Sequence, residues 1–228
     1  MTLLTRVEAP PSWRRLAFVS DLHLGPDTES TQQAFDAWLL ELEADALFIL
    51  GDLFEAWVGD DALALPYAQR FATALSSFAR PVFFLHGNRD FLLGPAMAAA
   101  CGMQLLAENC VLQAFGEPLL LTHGDAQCLD DKAYQAFRAQ VRQPAWQQGF
   151  LARPLSERLQ IAAQMRDASQ RSQGAQKAMG LPFADPDAAL CREQLQAAGC
   201  ALMLHPRYKS KAQHLHSTSK NSTMPDAK

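Results

Sequence analysis

At 228 residues, with 49% hydrophobic and 19% charged residues, the chain can bury one substantial core and reads as a single folded domain. A formal charge of -4 carries no basic excess, which speaks against nucleic acid as a partner. Five cysteines without a C-x-x-C pair read as free thiols in a reducing cytosol, and no apolar stretch approaches a signal peptide core or the roughly 20 residues of a membrane span.

Residues 16–20 form the first apolar run, too short for a helix, and predict a buried strand. Residues 31–42 follow with apolar spacings of three and four, as in a helix packed on a sheet. The alternation continues with a strand over 46–50, a helix over 66–78, and strands over 81–85 and 119–122, which predicts an α/β sheet. From 130 to 177 the pattern turns helical, with an apolar stripe that includes Phe150, Leu151, Leu155, Leu159 and Ile161. Such a stripe is either core or the inner face of a lid. A connector over 180–186, a helix over 187–198 and a fifth strand over 201–204 complete the domain, expected to span 1–205. The polar composition of 206–228 predicts a disordered tail.

Each of the first four strands runs into a short polar motif: Asp21-Leu22-His23, Gly51-Asp52, Gly87-Asn88-Arg89-Asp90 and His123-Gly124-Asp125. Ligands of α/β sheets bind at the carboxyl ends of strands, so four motifs at four such ends can converge on one site. Carboxylate, imidazole and amide oxygen together suit Mn²⁺, Zn²⁺ or Fe²⁺. Asp21 and His23, two apart on an extended segment, can point to the same side. Asp52 can bridge two ions, with Asn88 and His123 completing the second, as in two-metal phosphoryl chemistry. Taken singly, each residue has a blander role: Asp21 as a helix cap, His23 or His123 as a core histidine, Asn88 as a turn residue, Arg89 as a surface arginine. Their joint placement after four strands favours the metal site.

The motif series resembles the calcineurin-like metallophosphoesterases. The longer stretches Ser20-Asp21-Leu22-His23-Leu24, Gly51-Asp52-Leu53-Phe54-Glu55-Ala56-Trp57-Val58-Gly59-Asp60-Asp61, His86-Gly87-Asn88-Arg89-Asp90-Phe91 and Tyr134-Gln135-Ala136-Phe137-Arg138 are similar to the UDP-2,3-diacylglucosamine hydrolases of lipid A biosynthesis. The similarity runs over about 15–205. It implies a four-layer αββα sandwich with the helical insertion at about 130–177 acting as a lid, its trough lined by Leu151, Leu155 and Ile161. It also implies two Mn²⁺ ions, one on Asp21, His23 and Asp52, the other on Asp52, Asn88 and His123. The implied reaction is attack by a two-metal-activated water on UDP-2,3-diacylglucosamine, giving UMP and 2,3-diacylglucosamine 1-phosphate. Arg89 would be the catalytic arginine on the diphosphate. Asn88, Arg89, Asp131, Ser169, Gln173 and Lys177 would contact substrate, although Asp131 alone reads as a helix cap and Ser169 as a solvated helix residue. The implied location is peripheral, on the cytoplasmic face of the inner membrane.

One family motif, Gly-His-x-His-Arg-Pro, is expected after the strand over 201–204. The chain has His205 followed by Pro206-Arg207-Tyr208-Lys209, and its nearest His-x-His is His214-Leu215-His216 in the polar tail. A frame change or recombination after His205 accounts for this most simply, and one ligand fewer per ion predicts weak metal binding and low activity. A phosphodiesterase acting on a soluble nucleotide and an inactive degenerate member are the competing functions.

Overall fold

The structure, a computed structural model, describes residues 4–180 and 184–206. β1 (Leu4–Glu8) belongs to one sheet, while β2 (Leu16–Val19), β3 (Ala46–Ile49), β4 (Val82–Phe84) and β5 (Met103–Leu105) form the other, all parallel and in sequence order. β6 (Asn109–Ala114), β7 (Glu117–Thr122) and β8 (Leu202–Leu204) join β1 in the order β1-β6-β7-β8. β6 and β7 make an antiparallel hairpin whose two turn residues, Phe115 and Gly116, both have positive φ, which matches the right-handed twist of the strands.

All four residues of β3 are buried, because a parallel strand covered on both faces needs a continuous apolar run. Its Phe48 faces the other sheet, stacking on Phe83 at 4.7 Å and meeting Leu112 and Leu121 in the core between the sheets. Its Leu47 and Ile49 face outward onto α1 (Glu29–Glu41), α2 (Pro66–Ser76) and α3 (Pro95–Cys101) through Phe35, Phe71, Leu75 and Met97. On the far side Val111 and Leu120 pack against Ala198, at the end of the last helix among the described residues. The layers are therefore helix, sheet, sheet, helix. β1, β5, β6 and α3 are additions to the elements expected from the sequence.

Three helices make up the insertion: α4 (Lys132–Val141), α5 (Pro144–Leu151) and α6 (Leu155–Ala178), before α7 (Ala188–Ala198) returns the chain to the second sheet. Its apolar stripe divides. Phe150 is buried, and Trp146, Leu155, Leu159 and Ile161 pack on the outer core of the first sheet, so Leu155 and Ile161 serve as core rather than as an open trough. Leu151, Met165 and Met179 remain exposed. Residues 163–172 are all exposed, so α6 leaves the body as an arm.

Arg158 fastens the root of that arm. It is 2% exposed and bonds the carbonyls of Val58 and Arg153 and the carboxylate of Asp61. Arg158→Ala is expected to cost about 2–3 kcal/mol of unfolding free energy, at the low end for a broken buried pair because Asp61 is half-exposed. Urea denaturation checks it, and a loss under about 1 kcal/mol would contradict the fastening role.

Candidate metal centre

The loops that follow β2, β3, β4 and β7 meet at one rim of the sandwich, three from the first sheet and one from the second. Their backbones touch. Asp21 N–H donates to the Gly51 carbonyl at 3.1 Å, and His23 N–H to the Asp52 carbonyl at 3.0 Å. A Cβ on Gly51 would lie 2.6 Å from Gly87 Cα and 2.8 Å from His123 Nδ1, and its φ is +84°, so only glycine fits. Asp90, fully buried, braces two loops by accepting from Leu53 N–H and Gly87 N–H, each at 2.7 Å.

Three of the expected ligand residues have left-handed backbones: Asp21 (φ 56°), His23 (φ 49°) and Asp52 (φ 52°). The extended segment expected for Asp21 and His23 is therefore replaced by two left-handed residues, a conformation that side-chain-bearing residues hold only when the surroundings enforce it. The result still gathers the side chains. Ligand atoms of Asp21, His23 and Asp52 all lie within 4.8 Å of one another. His23 Nε2 is 3.8 Å from Asp21 Oδ1 and 4.0 Å from Asp52 Oδ2, while the other Asp52 oxygen is 3.6 Å from His123 Nε2. Asn88 Oδ1 stands 3.1 Å from the same His123 nitrogen. Asp52 thus turns one oxygen to each histidine.

Electrostatics at the rim suit a cation. Burial pushes the Asp52 carboxyl up to about 7, with Asp90 and Asp21 adding to the rise while His123 and the Arg89 N–H oppose it. Burial works against charge on His123 too, but Asp52, Asp125 and the Leu50 carbonyl outweigh it and raise that imidazole above its ordinary value. His123 Nδ1 meets the Leu50 carbonyl at 2.8 Å; a carbonyl only accepts, so Nδ1 carries a proton, and whenever the ring is neutral its Nε2 lone pair faces the centre.

Arg89 lies at the same rim, with its N–H on Asp52 at 2.9 Å and its guanidinium on Glu55 at 2.7 Å. Glu55 also takes Arg166 of α6 at 2.9 Å and sits 3.5 Å from His23 Nδ1. Asp131 uses its carboxylate to cap α4, accepting from Tyr134 N–H at 2.9 Å. Ser169, Gln173 and Lys177 follow Arg166 on α6 at spacings of three, four and four, which puts them on its face of the helix. Among the described residues no hydrogen bond or ion pair links these three to the centre. His214 and His216 lie outside the described residues.

Sequence reasoning missed the braces. Along α4, residues four apart reach down to two site loops: Tyr134 and Arg138 to Asp125, and Arg142 to the Gly87 carbonyl at 3.0 Å. The spacing of 134, 138 and 142 is the one available signal, and it reads equally well as a solvated face.

Comparisons with known proteins identify the family of the chain. The calcineurin-like phosphoesterase family matches over residues 14–161. The UDP-2,3-diacylglucosamine hydrolase of Chromobacterium violaceum is 43% identical over 216 residues, covering 92% of this chain and 89% of that protein. The protein of the same name from Stenotrophomonas maltophilia (strain K279a) is 48% identical over 165 residues, covering 70% of this chain and 66% of its own length. Among solved structures, the Pseudomonas putida nuclease MPE is similar at 26% identity and a TM-score of 0.39, over 49% of this chain and 55% of that one.

Proposed function

Because the chain belongs to the calcineurin-like phosphoesterases, and within them to the UDP-2,3-diacylglucosamine hydrolase family, we propose that it hydrolyses the diphosphate bond of UDP-2,3-diacylglucosamine to UMP and 2,3-diacylglucosamine 1-phosphate. Membership implies a divalent metal, and the residues present fit one. Two Mn²⁺ ions are the reading the donors support, with Asp21, His23 and Asp52 holding one and Asp52, Asn88 and His123 the other. The observation that carries it is the Asp52 carboxylate, whose two oxygens face different histidines at 4.0 and 3.6 Å.

When bound, such ions supply Lewis acidity at the phosphoryl oxygens and water activation at neutral pH. The chain's own residues do the rest. His123 is held by the Leu50 carbonyl with Nε2 inward, and Asp90 fixes the loop that carries Asn88. Arg89 spends one Nη on Glu55, which leaves other donors of the fork for a diphosphate oxygen and for charge that grows in the transition state. Leu151, Met165 and Met179 offer exposed apolar surface on the insertion for acyl chains. Asp131, Ser169, Gln173 and Lys177 are proposed substrate contacts, the last three reached along the arm. No helix among the described residues is long and apolar enough to cross a membrane, and peripheral contact with the cytoplasmic face of the inner membrane is the mode proposed.

The test is UMP release from UDP-2,3-diacylglucosamine with Mn²⁺, set against a UDP-sugar without acyl chains. Release from the lipid substrate alone is expected; equal release from both would favour a soluble-nucleotide phosphodiesterase. Ion binding should also depend on pH. Asp52 holds its proton up to about pH 7 in the metal-free protein, and binding must displace it. Affinity for Mn²⁺ is therefore expected to fall at least about tenfold per pH unit below that point, and more steeply where the raised His123 imidazole must also lose a proton. Calorimetric titration across it gives the slope, and a flat profile would contradict the role of Asp52.

A further inference from the structure

Glu55 stands between three groups that come from three different elements. Its Oε1 accepts from the Arg89 guanidinium at 2.7 Å and is ion-paired with Arg166 Nε on α6 at 2.9 Å, while its Oε2 lies 3.5 Å from His23 Nδ1. His23 turns its other nitrogen, Nε2, toward Asp21 and Asp52. Glu55 is only 17% exposed, so these contacts are largely shielded from water. We infer that Glu55 is the positioning residue that sets the tautomer of His23 and ties the helical insertion to the metal centre; the inference rests on His23 being a metal ligand, as proposed above.

The chemistry follows from what each group can donate. At 3.5 Å the Glu55 carboxylate is a charge neighbour of Nδ1 rather than a hydrogen-bond partner, but it lies nearer to that nitrogen than either aspartate lies to Nε2. An ionised carboxylate attracts a proton, so Oε2 favours the His23 tautomer with the proton on Nδ1. That leaves the Nε2 lone pair facing the two aspartates, which is the form a cation needs. Oε1 meanwhile holds two guanidiniums, one on the loop after β4 and one on the arm, so the position of α6 is registered on the same side chain that orients a ligand. One carboxylate thus has two separable tasks, one for each oxygen.

Glu55→Gln separates them. The arginines can only donate, so the amide oxygen must take the Oε1 place and the NH₂ group must take the Oε2 place, facing His23 Nδ1. A donor there favours the opposite tautomer, with the proton on Nε2, where it obstructs the ion. The variant is nearly isosteric and keeps an acceptor for both arginines. Glu55→Ala loses both tasks.

Three measurements on the full chain decide the matter. Long-range ¹H–¹⁵N spectra of the metal-free protein should show His23 protonated on Nδ1, and on Nε2 in Glu55→Gln. Mn²⁺ titration should show affinity lower by about 10–100-fold in Glu55→Gln. Amide exchange over α6 should match the parent in Glu55→Gln and speed up in Glu55→Ala. A parent His23 protonated on Nε2, or a Glu55→Gln affinity within about twofold of the parent, would overturn the tautomer role; unchanged exchange in Glu55→Ala would overturn the tie. A parent that gives these results yet releases no UMP refutes the proposed substrate and leaves Glu55 as assigned. A parent that binds no Mn²⁺ refutes the ligand reading, and with it the inference about His23.

Discussion

Asp52→Asn is expected to lower kcat/KM for UMP release by at least about 10³-fold, or about 4 kcal/mol of transition-state stabilisation. Asparagine keeps the shape of the side chain and can still accept from the Arg89 N–H, but it offers one oxygen where the proposed site uses two. It also removes one of the two negative charges that Asp21 and Asp52 bring to the proposed ions. The same substitution should not harm the metal-free fold. Burial raises the folded-state carboxyl to about 7, so the native state favours the proton: the associated stability is full below the ordinary value of 3.8 and is lost as pH rises through about 7. At pH about 8 the parent therefore carries an unfavourable buried charge that asparagine lacks, and the melting temperature in EDTA should stay level or rise. Activity within tenfold of the parent would remove the bridging role, and a large drop in melting temperature would mean that the loss of activity reports unfolding instead.

The second large effect is a gain. β8 lies parallel to β7 with Leu204 opposite Leu121, so it releases the chain beside the loop that delivers His123. A Cβ on Gly124 would lie 3.3 Å from His205 Nδ1, which places His205 against that loop. The strand therefore delivers His205 beside the loop that carries His123. Grafting Gly-His-x-His-Arg-Pro directly after His205, in place of Pro206 and its successors, would supply one more imidazole to each proposed ion. Mn²⁺ affinity is expected to rise by more than the about 10–100-fold that a change in the outer shell brings, with UMP release rising in parallel. Measured metal content and release rate, compared with those of the parent, settle the point; if neither moves, the ligand set is already complete without that motif.

The parts of this molecule that were legible in the sequence share a physical cause. β2, β3 and β4 are covered on both faces, so their side chains form unbroken apolar runs, and each run ends where a polar motif begins. β6 was not legible, although Cys110, Val111 and Leu112 are fully buried, because Asn109 and Gln113 cut the run to three residues. β1 buries only Val7 and reads as polar chain. The ligand residues announced themselves by following strands, but their left-handed backbones did not, since Asp and His, although enriched among residues with positive φ, adopt it in only a small minority of cases. The braces were hidden by distance along the chain. Arg89 meets Glu55 across 34 residues, Arg142 meets Gly87 across 55 and Arg158 meets Val58 across 100, and no local pattern encodes such pairs.

The division of the strands between the two sheets has a kinetic consequence. All four strands of the first sheet fall within residues 16–105, paired in sequence order through short crossovers. The second sheet needs β1 to find β6 across more than a hundred residues, with Leu4 opposite Asn109, and β8 to find β7 across a gap of about eighty. Loop-closure entropy makes such distant pairings late events. Asp21, His23, Asp52 and Asn88 can therefore assemble early in folding, whereas His123 joins them only when the local hairpin of β6 and β7 docks on the first sheet. A nascent chain would hold four of the five proposed ligands until that hairpin docks, so full ion affinity would mark the molecules whose two sheets have come together.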